Sequence, residues 1–146
     1  MTMDRLDGMT APVAPLVHPD TEGFWDGLAE GELCVQVCSD CQTPRFPFGP
    51  VCFRCLSYEH TWQPVAVEGT VVAAVVVHRA TGDQVWAQHT PFASGLVDMK
   101  DGPRLPGTIR CTCGRGIERG AAVRAMLLEA AGRSPLYAFV HTCIDG

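Results

Sequence analysis

The hydrophobic and polar positions of this 146-residue chain form strand-length patterns more often than helical ones. Residues 69–80, GTVVAAVVVHRA, are rich in β-branched side chains and nearly all apolar, which predicts a central β-strand. Residues 32–38, ELCVQVC, alternate as a short strand does. Residues 84–99 predict extended segments around Pro91. We therefore expect a mainly β protein.

Residues 18–33, HPDTEGFWDGLAEGEL, instead predict a short helix. Three apolar side chains share one face of it: Phe24, Trp25 and Leu28. Gly23 and Gly27 each lower helix stability by about 1 kcal/mol relative to Ala, so this helix should be marginal in isolation. Its apolar face must therefore pack against another surface, either of this chain or of a partner protein.

Residues 121–130, AAVRAMLLEA, fit two patterns at once. The residue types are good helix formers. However, Val123, Ala125 and Leu127 alternate with the residues between them, which suits a strand. Local propensity alone leaves this segment undecided.

The composition is that of a globular protein, with 47% hydrophobic and 18% charged residues. The longest apolar run, residues 71–77, is shorter than the roughly 18 residues that a membrane helix needs. Residues 1–17 carry Asp4 and Asp7 and have no apolar core of the kind a secretory signal needs, so we interpret them as a flexible tail. Eight cysteines without such a signal predict a reducing, cytoplasmic location. The net charge of −5 disfavours binding to a phosphate backbone.

Four cysteines form the pattern C-x2-C-x10-C-x2-C: Cys38, Cys41, Cys52 and Cys55. Two such pairs place four thiolates around one ion, and a closed four-ligand shell is typical of a structural zinc site. Disulfides are disfavoured in a reducing compartment. A thioredoxin-like redox site needs a single pair that opens a helix. Iron could use the same four ligands, and the spacing does not distinguish the two metals. We predict one structural zinc on the grounds of its greater abundance.

The remaining cysteines have no such spacing: Cys34, Cys111, Cys113 and Cys143. The Cys111-x-Cys113 pair could attract a second metal, but the sequence offers no matching pair, and small structural thiols are the simpler interpretation. The five histidines are scattered and form no metal or catalytic motif. We therefore predict no catalytic residue in this chain.

The order of these parts resembles the DUF35 family. The resemblance rests on DTEGFWDGLAEGELCVQVCSDCQTPRFPFGPVCFRC and on WQPVAVEGTVV, residues 62–72. It implies a rubredoxin-like zinc ribbon followed by a five-stranded OB-fold barrel, with residues 121–129 as a strand. The implied divisions are a tail (1–17), a docking helix (18–33), the ribbon (34–63) and the OB-fold (64–146). Gln42 and Leu56 stand where the family usually has glycine after each cysteine pair.

The resemblance also implies a function. Family members are non-catalytic subunits that bind a thiolase-fold enzyme (a thiolase, aldolase or acyltransferase) and help hold or shield an acyl-CoA or its pantetheine arm. Such a complex forms or cleaves C–C bonds or transfers acyl groups, and a two-plus-two hetero-oligomer is expected. Phe24, Trp25 and Leu28 would then contact the partner. The arginines expected to meet the CoA phosphates are Arg110, Arg115 and Arg119.

Two alternatives from other functional classes stay open. An OB-fold with a zinc ribbon can bind single-stranded nucleic acid through aromatic side chains in a basic groove, although residues 69–80 offer only Arg79. An independent acyl-CoA transferase or hydrolase would need a nucleophile or base such as Cys111, Cys113 or His89. Thioester turnover by the isolated chain would separate this class from the others.

Overall fold

The computed structural model describes residues 2–11, 16–82, 84–111, 113, 117–130 and 133–141. Arg115 and Cys143 lie outside the described residues. The strands are β1 (Arg5–Ala11), β2 (Cys34–Cys38), β3 (Pro44–Arg45), β4 (His60–Pro64), β5 (Glu68–Val77), β6 (Phe92–Met99), β7 (Arg104–Arg110), β8 (Ala122–Ala130) and β9 (Arg133–Val140). The helices are α1 (Glu22–Ala29) and α2 (Gln84–Ala87), with a 3-10 turn at Pro19–Thr21.

The helix α1 lies within the segment that was predicted to be helical. Gly31 follows it with φ 84°, a left-handed conformation in which glycine is favoured because it has no Cβ. Phe24 and Leu28 are buried. They face β9 and β2, so the helix packs against both halves of the chain.

Three short strands form the ribbon sheet, in the antiparallel order β3-β2-β4. All five residues of β2 are buried, because β3 and β4 flank it and α1 packs against it. Its last residue, Cys38, pairs with His60 of β4. This sheet therefore brings the start of the first cysteine pair next to the strand that follows the second pair.

Five strands close into the predicted OB-fold barrel. The pairings run β5-β6-β7 antiparallel, β7-β9 parallel, β9-β8 antiparallel and β8-β5 antiparallel, which returns to the starting strand. Buried side chains on alternate positions of these strands fill the interior, and examples are Val71, Val97, Leu105 and Phe139. The mainly β prediction, with a ribbon and an OB-fold, is confirmed.

The segment that propensity left undecided is a strand, as the family resemblance implies. In β8, Val123, Ala125 and Leu127 are all at most 5% exposed and point into the barrel. Pairing with β5 on one side and β9 on the other fixes the extended backbone. Tertiary pairing therefore overrides the helix propensity of this segment.

Two predictions for irregular segments are wrong. Residues 5–11 are not a flexible tail, because they form β1, which pairs in parallel with the second half of β8. Strand β5 pairs only with the first residues of β8, so the two neighbours do not compete. The neighbouring Met3 is buried, and the amide of Leu127 donates a hydrogen bond to the carbonyl of Asp4 at 2.9 Å. Residues 84–87 form the helical turn α2 instead of extended chain.

A cluster of aromatic rings joins the ribbon to the barrel. Phe24 of α1 lies 5.2 Å from Phe48 of the ribbon and 5.5 Å from Tyr137 of β9, measured between ring centroids. Phe48 in turn lies 5.0 Å from Trp62. Such aromatic pairs each add about 0.5–1.5 kcal/mol beyond simple burial. The two halves therefore share one hydrophobic core.

No helix in the described part of the chain is long and apolar enough to span a membrane.

Candidate functional site

The first cysteine pair lies on a tight turn at the end of β2. The amide of Gln42 donates to the carbonyl of Cys38 at 2.9 Å, and the amide of Cys38 donates to Thr43 at 3.1 Å. Gln42 has φ 59°, in the left-handed region. This turn brings the side chains of Cys38 and Cys41 to one side of the loop.

The second pair repeats the same turn. The amide of Leu56 donates to the carbonyl of Cys52 at 2.9 Å, and the amide of Cys52 donates to Ser57 at 2.8 Å. Leu56 has φ 64°. The structure thus explains why glycine is usual at both positions, since a side chain in this conformation costs roughly 1–2 kcal/mol.

The four sulfurs converge on one point, as predicted. All four lie within 4.8 Å of one another, with Cys38 and Cys55 separated by 3.5 Å and Cys41 and Cys52 by 3.7 Å. Four sulfurs at about 2.3 Å from a tetrahedral zinc are separated by roughly 3.8 Å. The cluster therefore has the size and the donor set of a four-thiolate zinc site.

Hydrogen bonds prepare part of this cluster for a metal, because thiolates are the ligating form. The backbone amides of Cys55 and Arg54 lower the pKa of Cys52 to about 6, and the hydroxyl and amide of Thr43 lower the pKa of Cys41. The Ser57 amide lowers the pKa of Cys55, but the other three thiols and burial together raise it to about 12. The crowding of the four thiols disfavours ionisation of them all, and the charge of a bound cation would offset this.

The closed shell makes this centre structural. Cys38 and Cys52 are fully buried, and all four ligand positions come from the chain. A zinc with four protein ligands has no open position for substrate and contributes to folding instead.

The predicted partner-binding face of α1 is wrong for two of its three residues. Phe24 is 4% exposed and Leu28 is fully buried, because both side chains enter the chain's own core. Trp25 is partly buried, and its indole Nε1 is buried without a hydrogen-bond partner among the described residues. Sequence periodicity identifies the apolar face but not what covers it.

The structure describes two of the three arginines that were predicted to bind CoA phosphates. Arg110 is partly buried at the end of β7, and its Nε has no hydrogen-bond partner among the described residues. Arg119 is exposed on the turn before β8, and Arg115 lies outside the described residues. Arg124, a further basic residue of this region, is paired with Asp4 at 3.5 Å and with Glu68 at 3.0 Å.

Sequence reasoning missed a pair of cavities on the barrel. One, of about 190 Å³, lies between α2, β7 and β9, with Trp86, Leu136 and Tyr137 in its wall. The second, of about 440 Å³, lies beside it along β6 and β7. Four residues line both: His89, Phe92, Thr108 and Arg110. No motif marks these residues, because strand pairing alone brings them together.

Two family models match the chain. One describes a ChsH2 rubredoxin-like zinc ribbon domain and covers residues 25–60, and the other describes a ChsH2 C-terminal OB-fold domain and covers residues 62–127. The first match contains all four cysteines of the cluster. The centre is therefore the metal site of a zinc ribbon.

Two curated relatives are similar over most of the chain. The probable enoyl-CoA hydratase alpha subunit of Thermomonospora curvata is 30% identical over 118 residues, 80% of this chain and 35% of that protein. The 3-oxo-4,17-pregnadiene-20-carboxyl-CoA hydratase alpha subunit of Mycobacterium tuberculosis is 30% identical over 119 residues, 82% of this chain and 37% of that protein. The chain thus spans about a third of the length of these relatives.

Solved structures share the fold. A chain of the Ltp2-ChsH2(DUF35) aldolase superimposes with a TM-score of 0.76 at 27% identity, over 88% of this chain and 98% of that one. A DUF35 protein of unknown function from Sulfolobus solfataricus gives a TM-score of 0.60 at 16% identity, over 86% and 87%, and shows the fold alone. With its zinc ribbon and OB-fold domain in the same order, the chain belongs to the DUF35 family.

Proposed function

We propose that this chain is a non-catalytic subunit that binds an acyl-CoA enzyme and helps to hold and shield the acyl-CoA substrate. The observation that carries the proposal is the pair of adjoining cavities, which have apolar walls and the Arg110 side chain at their junction. The names of the relatives as alpha subunits of CoA hydratases, and of a structural relative as part of an aldolase, support a partner enzyme.

The shape and charge of the cavities suit part of a CoA thioester. A pantetheine arm is narrow and largely apolar, so the wall formed by Trp86, Phe92 and Leu136 can exclude water from it. The Arg110 guanidinium carries a buried donor that needs an acceptor. A phosphate or a polarised carbonyl oxygen of the ligand would satisfy it through a charge-assisted hydrogen bond. Arg115 and Arg119 remain the further arginines predicted to meet the CoA phosphates.

The partner would cover the open side of these cavities. Val76 of β5 lines the larger cavity and is 40% exposed. Val75 of β5 and Leu96 of β6 lie on the other face of the same two strands and are 63% and 40% exposed. Exposed apolar side chains beside a ligand cavity are typical of an interface. Together with Trp25, they would contact a thiolase-fold partner in a two-plus-two complex, with the catalytic groups on the partner.

The ligand part of the proposal is tested by calorimetric titration with acetyl-CoA, on the chain in complex with its partner. Arg110→Ala should weaken binding by about ten-fold or more, the worth of one charge-assisted hydrogen bond. Arg79→Ala, which removes an exposed arginine outside the cavities, is the matched control. Equal affinities of both variants for acetyl-CoA would contradict the ligand site.

The partner part is tested by purifying the tagged chain from its host and assaying the co-purified enzyme with and without added chain. We expect an acyl-CoA enzyme whose turnover depends on the chain, and Trp25→Ala should weaken the association more than it weakens folding. Thioester turnover by the chain alone would indicate an independent enzyme, and salt-sensitive binding of single-stranded DNA would indicate a nucleic-acid-binding module.

A further inference from the structure

The ends of two barrel strands bring metal-binding side chains together away from the zinc ribbon. Strands β7 and β9 run in parallel, with Ile109 opposite Phe139, so both strands end at the same edge of the barrel. Cys111 is the residue directly after β7, and His141 is the residue directly after β9. The amide of His141 donates to the carbonyl of Arg110 at 3.0 Å, which holds the two strand ends together.

Three ligand atoms converge at this edge. One from each of Cys111, Cys113 and His141 lies within 4.8 Å of the other two. The sulfurs of Cys111 and Cys113 are 3.3 Å apart, far longer than the ~2.05 Å of a disulfide and close to the roughly 3.8 Å of two thiolates on one zinc.

The hydrogen bond of His141 leaves one of its ring nitrogens available to a metal. Its Nδ1 lies 2.7 Å from the carbonyl of Ala122. A carbonyl oxygen can only accept, so Nδ1 carries the proton and Nε2 keeps its lone pair. Histidines that ligate metals commonly donate their second ring nitrogen to a backbone carbonyl in this way, which fixes both the ring and its tautomer.

We propose that Cys111, Cys113 and His141 form a second metal site, for zinc or another thiophilic divalent ion. Two thiolates and one imidazole make a three-ligand set, which leaves one position open to an exchangeable ligand. Two thiolate charges balance the ion, so the loaded site is close to neutral.

The proposed metal site lies next to the larger barrel cavity. Cys111 lines the larger barrel cavity, together with Arg110 and Ile117. A metal held by Cys111 would therefore lie at the wall of this cavity, in contrast to the closed ribbon centre. This inference does not depend on what the cavity binds.

The test uses the full chain with zinc in its ribbon, kept reduced, and titrates it with Co²⁺. The thiolate-to-cobalt absorption band should grow until one equivalent beyond the ribbon zinc is bound. Cys111→Ser, Cys113→Ser and His141→Ala should each weaken cobalt binding by roughly ten-fold or more, since each removes one of three ligands. Elemental analysis should still find the ribbon zinc in every variant, which shows that the fold is retained.

Two variants serve as controls. Cys34→Ala removes a buried thiol elsewhere, and His78→Ala removes an exposed imidazole that lines neither cavity. Both should bind cobalt as the unaltered chain does. A reduced chain that takes up no cobalt beyond the ribbon zinc, or a cobalt band unchanged in Cys111→Ser and Cys113→Ser, would overturn the proposal. A disulfide between Cys111 and Cys113 in protein from reducing extracts, with no metal uptake after reduction, would overturn it as well.

Discussion

Replacing Gly23 of α1 by alanine should destabilise the protein, although alanine is the better helix former. A Cβ at Gly23 would lie 2.2–2.3 Å from three atoms of the Trp62 indole. Non-bonded carbons settle about 3.5–4.0 Å apart, so the helix or the ring would have to move by more than about 1 Å. Trp62 cannot move freely, because the centroid of its ring lies 5.0 Å from that of Phe48 and 6.1 Å from that of His60.

The gain in helix propensity and the cost of overpacking act in opposite directions, and their sizes decide whether the substitution stabilises or destabilises the protein. The change from glycine to alanine raises intrinsic helix stability by about 1 kcal/mol. Overpacking costs roughly 1–3 kcal/mol, and displacing Trp62 weakens ring contacts that are worth about 0.5–1.5 kcal/mol each. We therefore expect Gly23→Ala to lower the free energy of unfolding by about 2 kcal/mol, or the melting temperature by about 4–8 °C.

Urea unfolding of the zinc-loaded protein measures this change, with Asp26→Ala as the matched control. Asp26 is exposed on the same helix, so its replacement by alanine reports helix propensity without a clash. In a Trp62→Ala background the added methyl group of Gly23→Ala meets open space and should no longer destabilise. If Gly23→Ala stabilises the protein as Asp26→Ala does, or costs the same with and without Trp62, the close-packing argument is wrong.

The remaining predictions concern the ribbon. In a chelator competition, the Leu56→Gly variant should bind zinc about five-fold more tightly than the Leu56→Ala variant. Both substitutions remove the same exposed side chain, but only glycine relieves roughly 1 kcal/mol of strain in the left-handed backbone conformation. Equal affinities would refute this. Cys38→Ser should lower zinc content from one ion in the ribbon to none and melt the ribbon strands, as seen by circular dichroism, whereas a folded ribbon without metal would contradict a structural site. The Nε of the buried Arg45 donates a hydrogen bond to Gln36 Oε1 at 3.0 Å. Gln36→Leu removes this acceptor and should destabilise the protein by about 2–4 kcal/mol. Adding Arg45→Met should restore most of this loss in denaturant unfolding, and no recovery would show that the pair is not coupled.

The ribbon could be predicted from short sequence patterns, because its two turns are formed by residues that are adjacent in the sequence. Each cysteine pair spans four residues, and its turn is closed by a hydrogen bond from the next residue, such as that from Gln42 to Cys38. The strand predicted at 69–80 was equally local, and in the structure it begins one residue earlier and ends three residues earlier, at Glu68–Val77. Both features depend on neighbours within a few residues.

Features that depend on distant pairing could not be predicted from the residues alone. Strand β1 forms because β8, more than 110 residues later, offers backbone groups to it, and its own side chains give no strand signal. The undecided segment 121–130 required the family resemblance for the same reason. Likewise, Cys111 and His141 are 30 positions apart, and only the parallel pairing of β7 with β9 makes them neighbours.

The position of Phe48 links the metal centre to the barrel. Phe48 lies in the loop between Cys41 and Cys52, and the sulfurs at the two ends of this loop are held 3.7 Å apart at one metal site. Its ring packs against Phe24 of α1 and against Trp62, and Phe24 in turn contacts Tyr137 of the barrel. Without a metal, four crowded thiols would separate and the loop would lose its fixed ends. The zinc therefore does more than fold its own ribbon, because it holds the ring on which α1 rests, and through α1 it sets the position of the ribbon against the barrel.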